Sequence, residues 1–163
     1  MNTPKISIRA ACEADVEQIL AFIRELAEYE RLSHEVTATA QNIRTALFGP
    51  RPHAEAVIGC LDGEACGFAL FFHNFSTFVG KPGLYLEDLY VRPAARGQGL
   101  GTRMLASLAR LALERGCGRF EWAVLDWNEP ALKVYRALGA RAADDWTLHR
   151  VSGEALVQLA AKA

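Results

Sequence analysis

The segment Arg96-Gly-Gln-Gly-Leu-Gly101 has the residue types that can hold a phosphate group. It stands between a predicted strand that ends at Val91 and a predicted helix that starts at Leu100. Glycines let the backbone turn sharply and approach a ligand closely, and the free N–H groups of a helix N-terminus favour an anion. Arg96 adds a positive charge. The segment therefore predicts an anion-binding loop, and a glycine-rich connecting turn is the alternative.

Spacing separates this loop from two common nucleotide-binding loops. A P-loop needs Gly-Lys followed by Ser or Thr, whereas Gly101 is followed directly by Thr102. A dinucleotide-binding loop needs G-x-G-x-x-G after the first strand, whereas this one is G-x-G-x-G and lies late in the chain. The spacing therefore disfavours both a P-loop and a dinucleotide-binding loop.

Three further side chains could act on protons. Glu87 and Asp88 are adjacent in a predicted strand, so in a regular strand they point to opposite faces and one of them is solvated. A bulge would change that arrangement. Tyr135 lies on the apolar face of a predicted helix, where a core position is the alternative to a functional one.

Hydrophobic periodicity and turn residues predict the elements that position these side chains. Strands are expected at 6–8, 54–61, 64–72, 84–91, 120–125 and 146–151, with Asp62-Gly63 as the turn of an antiparallel hairpin. Helices are expected from 15 to 27, from 39 to 48, from 100 to a stop at Gly116, from 130 to a stop at Gly139, and after Ser152. This order indicates a mixed sheet with helices packed on it, an α/β fold.

Composition favours one compact domain over residues 1–163. The chain has 163 residues, 51% of them hydrophobic and 23% charged, which excludes the disordered and fibrous classes. A net charge of -1 offers no overall field for nucleic acid or an anionic membrane, and no apolar run is long enough to span a membrane. We therefore expect neither partner and a cytoplasmic location.

Charge is unevenly distributed along the chain. Residues 13–35 hold seven acids and two arginines, whereas residues 92–119 hold six arginines and one acid. Two solvated helix faces would explain this pattern, and so would a cation-binding region paired with an anion-binding region.

The cysteines and histidines do not indicate a metal site. Cys12, Cys60, Cys66 and Cys117 form no CxxC pair and are expected to be small buried residues. The four histidines lack metal-ligand spacing. We expect no bound metal.

Two groups of motifs resemble a known family. Leu86-Glu-Asp-Leu-Tyr-Val91 followed by Arg96-x-x-Gly99-x-Gly101 resembles the acetyl-CoA loop of the GCN5-related N-acetyltransferases (GNAT). The stretch 125–131 (Leu-Asp-Trp-Asn-Glu-Pro-Ala) with Tyr135, the Ala-Leu-Gly-Ala of 137–140 and the Ala-Glu-Tyr-Glu of 27–30 resemble its diamine acetyltransferase branch, which includes thialysine N-ε-acetyltransferases. The resemblance covers nearly the whole chain.

The resemblance implies a fold and an activity. The GNAT fold is a mixed, mostly antiparallel sheet that is splayed in the middle to admit acetyl-CoA and is flanked by helices. The activity would move acetyl from acetyl-CoA directly to the terminal amine of a small diamine or lysine-like amino acid. A polyamine acceptor and a non-catalytic acetyl-CoA sensor are the alternatives. The family also implies a homodimer.

The resemblance further implies residue roles. On the acetyl-CoA side it implies main-chain pairing at Leu89, Tyr90 and Val91, a pyrophosphate loop of Arg96, Gly97, Gln98, Gly99, Leu100, Gly101 and Thr102, and contacts from Asn128, Ala131 and Tyr135. On the acceptor side it implies Tyr29, Glu30, Glu87 and Asp88. Glu87 and Tyr135 would be the catalytic residues.

Elementary chemistry explains what each of these residues could do in acetyl transfer. An alkyl amine has a pKa near ~10 and attacks only when neutral, so the site must attract an ammonium and then remove its proton. Carboxylates can do both. A strand N–H such as that of Leu89 can stabilise the oxyanion, and the phenol of Tyr135 can protonate the leaving thiolate. This direct transfer requires no cysteine nucleophile.

Overall fold

The structure is a computed structural model that describes residues 4–163. The chain divides into two compact units: the first ends at Ala123, and the second spans Val124–Ala163. No helix among the described residues is long and apolar enough to cross a membrane.

A five-stranded mixed sheet forms the centre of the first unit. Its strands lie in the order in which they occur: β1 (Ile6–Ala10), β2 (Glu55–Leu61), β3 (Glu64–Ser76), β4 (Lys81–Val91) and β5 (Arg119–Trp122). Neighbouring strands are antiparallel except for β4 and β5, which are parallel. The predicted α/β architecture with a mostly antiparallel mixed sheet is confirmed.

The described residues form five α-helices. They are α1 (Val16–Tyr29), α2 (Ala40–Phe48) and α3 (Leu100–Glu114) in the first unit, and α4 (Glu129–Ala137) and α5 (Gly153–Ala160) in the second. The Thr39 side chain accepts a hydrogen bond from the Asn42 amide at 3.2 Å and so caps the start of α2. Gly116 and Gly139 have the left-handed φ values of 69° and 86° that end α3 and α4 as predicted.

Helices cover both faces of the sheet. On one face α1 packs against β3, with the rings of Phe22 and Phe68 stacked at 5.7 Å. On the other face Met104 of α3 lies over Gly59, where an added Cβ would stand 2.7 Å from the Met104 sulfur. Ile58 belongs to the α1 core and its neighbour Gly59 faces α3, as the alternation of a strand requires.

Three expectations differ from the structure. The predicted strand at 146–151 is wrong, since this stretch has no regular secondary structure and Trp146 and Leu148 are 78% and 80% exposed. Its alternating pattern supplies an apolar face, but a strand also needs a neighbour whose backbone groups pair with it. The strand β5 ends at Trp122 rather than at 125. Cys60 is buried as expected, whereas Cys12 is exposed and Cys66 and Cys117 are half-buried.

Candidate active site

A bulge in β4 lies at the centre of the site. Leu70 of β3 pairs with Asp88, whereas the next residue, Phe71, pairs with Leu86. Glu87 is therefore an extra residue in β4 without a partner in β3. The sequence left a regular strand and a bulge as alternatives, and the structure contains the bulge.

The bulge changes which side chains share a face of the sheet. Leu70 and Phe72 are two residues apart on β3 and lie on one face, so their cross-strand partners Asp88 and Tyr85 also lie on that face. Without the extra residue, Asp88 and Tyr85 would point to opposite faces. The α1 helix packs on this same face, against Phe68.

Three carboxyl groups lie near one another at the bulge. The side chain of Asp88 is largely buried, and its burial raises its pKa to about 6, with further contributions from the charges of Glu87 and Glu30. Glu30 directly follows α1, and burial also raises its pKa. Glu87 is exposed. Mutual repulsion of these groups favours either a bound cation or a proton on Asp88.

One edge of β4 is open beyond the bulge. β5 pairs with β4 only from Gly83 to Leu86, whereas β4 continues to Val91. In the part of the chain that the structure describes, no strand pairs with residues 87–91 on that side. An extended ligand could pair with the backbone of Leu89 and Val91 there, as sheet edges allow. The family resemblance predicted a sheet that is splayed in the middle, and the end of the β4–β5 pairing at Leu86 agrees with that prediction.

The glycine loop has the backbone that an anion site requires. Gly97 and Gly99 adopt φ values of 75° and 84°, which favour glycine. Within α3 the Arg103 amide donates to the Gly99 carbonyl at 3.0 Å. This is the first backbone hydrogen bond of α3, so the amides of residues 100–102 at the N-terminal end have no acceptor within the helix. They point toward a ligand position in front of α3.

Arg96 connects the loop to two other elements. Its Nε donates to the Val91 carbonyl at 2.9 Å, and its guanidinium carbon lies 4.8 Å from the centre of the Tyr29 ring and 5.7 Å from that of Tyr90. Tyr29, which was expected on the acceptor side, therefore contacts a residue that was expected on the acetyl-CoA side.

A second arginine contact was missed by the sequence analysis. Arg92 donates hydrogen bonds to both carboxylate oxygens of Glu25, the shortest at 2.8 Å, and its guanidinium carbon lies 4.8 Å from the centre of the Phe22 ring. The paired charge lowers the pKa of Glu25. The charge pattern of the sequence could have indicated this pair, because Glu25 lies in the acidic stretch 13–35 and Arg92 lies in the basic stretch 92–119. Part of that charge pattern thus joins α1 to the end of β4.

The remaining predicted residues lie in the second unit. Asn128 is buried, and its Oδ1 accepts a hydrogen bond from the Ala131 amide at 3.4 Å at the start of α4. Tyr135 is half-buried on the same helix. The structure thus brings Glu30, Glu87 and Asp88 together in the first unit and Asn128, Ala131 and Tyr135 together on α4. Among residues 4–163, no group of three or more His, Cys, Asp or Glu side chains could hold a metal ion.

Comparison with known proteins identifies the family. Residues 17–140 match the model of the Acetyltransferase (GNAT) family. The chain belongs to this family. GNAT members use acetyl-CoA as the acetyl donor, and the chain is an acetyltransferase. The family resemblance expected from the loop and β4 is confirmed.

Individual GNAT relatives match over nearly the whole chain. A thialysine N-epsilon-acetyltransferase of Sus scrofa is 41% identical over 96% of this chain and 98% of its own. An L-ornithine N5-acetyltransferase of Arabidopsis thaliana is 30% identical over 91% of this chain and 85% of its own. An integron cassette protein structure from V. cholerae has a TM-score of 0.78 at 25% identity and covers 95% of this chain and 97% of its own.

Proposed function

We propose that this protein transfers acetyl from acetyl-CoA directly to the terminal amine of a small diamine or lysine-like amino acid. The observation that carries this proposal is the β4 bulge, which groups Asp88, Glu87 and Glu30 beside an open strand edge. A carboxyl cluster attracts an ammonium group, and an open edge accepts an extended donor. The thialysine and L-ornithine acetyltransferase relatives support an amine of this size.

The acetyl-CoA side of the proposal rests on the glycine loop and β4. The amides at the start of α3 would hold the pyrophosphate, and the backbone of Leu89 and Val91 would pair with the pantetheine arm. The residues present fit this group, since Gly97 and Gly99 have positive φ values and carry no side chain that would keep a phosphate from the backbone. Asn128 and Ala131 would contact the same arm.

On the acceptor side, we assign proton removal to Asp88. The sequence assigned that role to Glu87, but Asp88 is the more buried of the two, and burial raises the pKa of Asp88 to about 6. A base with such a pKa is ionised at neutral pH and still binds a proton well. Glu87 and Glu30 would attract the ammonium. Asp88 would then take its proton, directly or through water.

The acyl step needs two further groups. Attack of the neutral amine on the thioester carbon would place negative charge on the carbonyl oxygen, and the Leu89 N–H on the open edge would stabilise it. Collapse of that intermediate forms the amide and releases the coenzyme A thiolate. Tyr135 would give the thiolate its phenolic proton.

We further propose a single domain that works as a cytoplasmic homodimer. Exposed apolar side chains in the second unit support a partner copy, since large apolar groups seldom remain exposed without one. They are Trp146, Leu148, Leu156, Val157 and Leu159. The cysteines that the structure describes are free thiols, in agreement with a reducing compartment.

Release of coenzyme A with a panel of amines tests the function. The panel contains thialysine, lysine, ornithine, short diamines, spermidine and a neutral hydroxylamine ether, each with acetyl-CoA and intact protein. We expect turnover with the short cationic acceptors. Preference for spermidine would favour the polyamine alternative. A 31% identical relative, a spermidine/spermine N(1)-acetyltransferase-like protein of Homo sapiens, supports that alternative. Binding of acetyl-CoA without turnover of any amine would overturn the proposal.

A further inference from the structure

A second polar group lies beyond Tyr85 on the face that carries Asp88. In the parallel pairing of β4 with β5, Gly83 lies beside Arg119 and Tyr85 lies beside Glu121. Neighbouring residues in register share a face, so Arg119 and Glu121 stand on the face of Tyr85 and Asp88. Arg119 Nε and Glu121 Oε1 are 2.7 Å apart, and the two side chains are 42% and 39% exposed. This ion pair is open to a ligand.

Asn74 of β3 adds an unsatisfied acceptor to this pair. Its Nδ2 donates to Glu121 Oε1 at 3.3 Å, and since a carboxylate only accepts, this bond fixes the orientation of the amide. Among the described residues Asn74 Oδ1 is shielded from solvent and has no hydrogen-bond partner.

Gly83 makes this arrangement possible. A Cβ at position 83 would collide with Asn74 Oδ1 and would stand 3.1 Å from Arg119 Cγ. The absence of a side chain lets Asn74 and Arg119 meet over the strand. The three polar residues therefore depend on a glycine in β4, which is unusual in the interior of a strand.

Tyr85 connects the polar group to the acid cluster. Burial raises the pKa of Tyr85, and the charges of Glu87 and Glu121 raise it further, which places the phenol between the two acids. The Phe72 ring lies 5.1 Å from that of Tyr85. The rings of Tyr85 and Phe72 thus offer an apolar surface between Glu87 and Glu121. Such a surface suits an acceptor whose apolar chain connects two charged ends.

We infer that Arg119, Glu121 and Asn74 form a subsite for the α-carboxylate and α-ammonium of an amino acid acceptor. This inference rests on the proposed function, in which the acceptor's terminal amine lies at Glu87 and Asp88. Arg119 binds the carboxylate, Glu121 accepts from the α-ammonium, and the Asn74 amide positions Glu121 through the bond from its Nδ2. Tyr85 and Asp88 are three residues apart, roughly 10 Å along a strand, a span that the acceptor's side chain and the acidic side chains bridge together.

The subsite selects an amino acid over a diamine. A diamine would meet Glu121 with its second ammonium and would be repelled by Arg119, whereas a carboxylate beside the ammonium neutralises both members of the pair. Because the arginine discriminates by charge, the comparison of two acceptors that differ only in the carboxylate isolates its contribution.

The test uses thialysine and bis(2-aminoethyl) sulfide, which lacks only the carboxylate. We expect Arg119→Gln to lower kcat/KM for thialysine by about 10- to 100-fold, the range for loss of a hydrogen bond to a charged group. For the sulfide diamine kcat/KM should not fall, and it should rise by up to about threefold because Arg119 no longer repels the second ammonium. Arg119→Lys should lie between. Arg110→Gln is the matched control, since Arg110 lies on α3 and pairs with Glu114 at 3.6 Å.

The outcomes separate the subsite from the function. Circular dichroism and the KM for acetyl-CoA verify that each variant is folded. Equal effects of Arg119→Gln on both acceptors, or no effect on either, would overturn the subsite and leave the proposed function standing. If the unmodified protein acetylated neither acceptor, the proposed function would fail. In that case, calorimetry would measure the binding of thialysine and of the diamine to the unmodified protein and to Arg119→Gln. A loss of affinity for thialysine alone would support the subsite, and any other result would overturn it.

Discussion

The guanidinium of Arg96 lies over the ring of Tyr29, 4.8 Å from its centre. Arg96 begins the glycine loop, and Tyr29 is the last residue of α1, next to the acidic Glu30. The contact joins the proposed acetyl-CoA side of the site to the proposed acceptor side. A change in Tyr29 should therefore affect the use of both substrates.

Replacement of Tyr29 by leucine should release Arg96 and weaken acetyl-CoA binding. A cation–π contact at an exposed site contributes ~0.5–1 kcal/mol, so we expect the KM for acetyl-CoA to rise about two- to fivefold. Tyr29→Phe keeps the ring and should stay close to the unmodified protein. Steady-state kinetics with acetyl-CoA varied at saturating amine would measure both. Equal KM values for Tyr29→Leu and Tyr29→Phe would contradict a role for the ring contact.

The left-handed backbone of Gly99 should be needed for acetyl-CoA binding. An alanine at φ 84° costs ~1–2 kcal/mol, so the loop should relax and the KM for acetyl-CoA should rise about tenfold. Gly116→Ala is the control, because residue 116 has a similar left-handed φ of 69° and lies beyond the opposite end of α3, away from the loop. That variant should bind acetyl-CoA normally. Indistinguishable KM values for the two variants would remove the loop from the site.

Tyr135→Phe should slow the chemical step. The substitution keeps the ring and removes the phenolic proton, so kcat should fall about 10²-fold, a typical contribution of general acid catalysis. The KM for acetyl-CoA should change little. A folded Tyr135→Phe protein with unchanged kcat between pH 6 and 9 would assign Tyr135 to packing alone.

Much of the fold was predictable because local pattern and packing agree. The two stretches 54–61 and 64–72 on either side of the turn at Asp62-Gly63 predicted β2 and most of β3, which continues to Ser76. Helical periodicity predicted α1 and α3, whose apolar stripes pack on the sheet. The stretch 146–151 failed for the opposite reason, since its pattern resembles a strand but does not specify a neighbour.

The site was only partly predictable. Residue types identified Glu87, Asp88 and the glycine loop, but strand parity alone places Asp88 and Tyr85 on opposite faces. The bulge depends on the pairing of β4 with β3, which no local pattern encodes. Asn74 and Arg119 were missed for the same reason, because they meet only through the register of three strands around Gly83.

The pH dependence of activity should follow the ionisation of Asp88. As a base it must be deprotonated, so kcat/KM for the amine should rise with pH through about 6, the raised pKa of this carboxyl. Asp88→Asn should lose this limb and retain about 1% of the activity or less. Glu87→Gln should weaken amine binding and keep the limb. The limb should vanish with Glu87→Gln instead if Glu87 is the base.

Asp88→Asn should also make the protein more stable at neutral pH. A pKa raised from 3.8 to about 6 means that the folded state binds this proton more tightly than the unfolded state does. Stability therefore falls as pH rises from about 4 to about 6, and the full penalty is present above that window. Asparagine has a similar shape and no charge, so the variant avoids the penalty, on the order of 1–3 kcal/mol. Its advantage in urea unfolding should be small at pH 4, grow to pH 6 and stay constant to pH 8. An advantage of equal size at pH 4 and pH 8 would show that the substitution acts through packing rather than through the charge of Asp88.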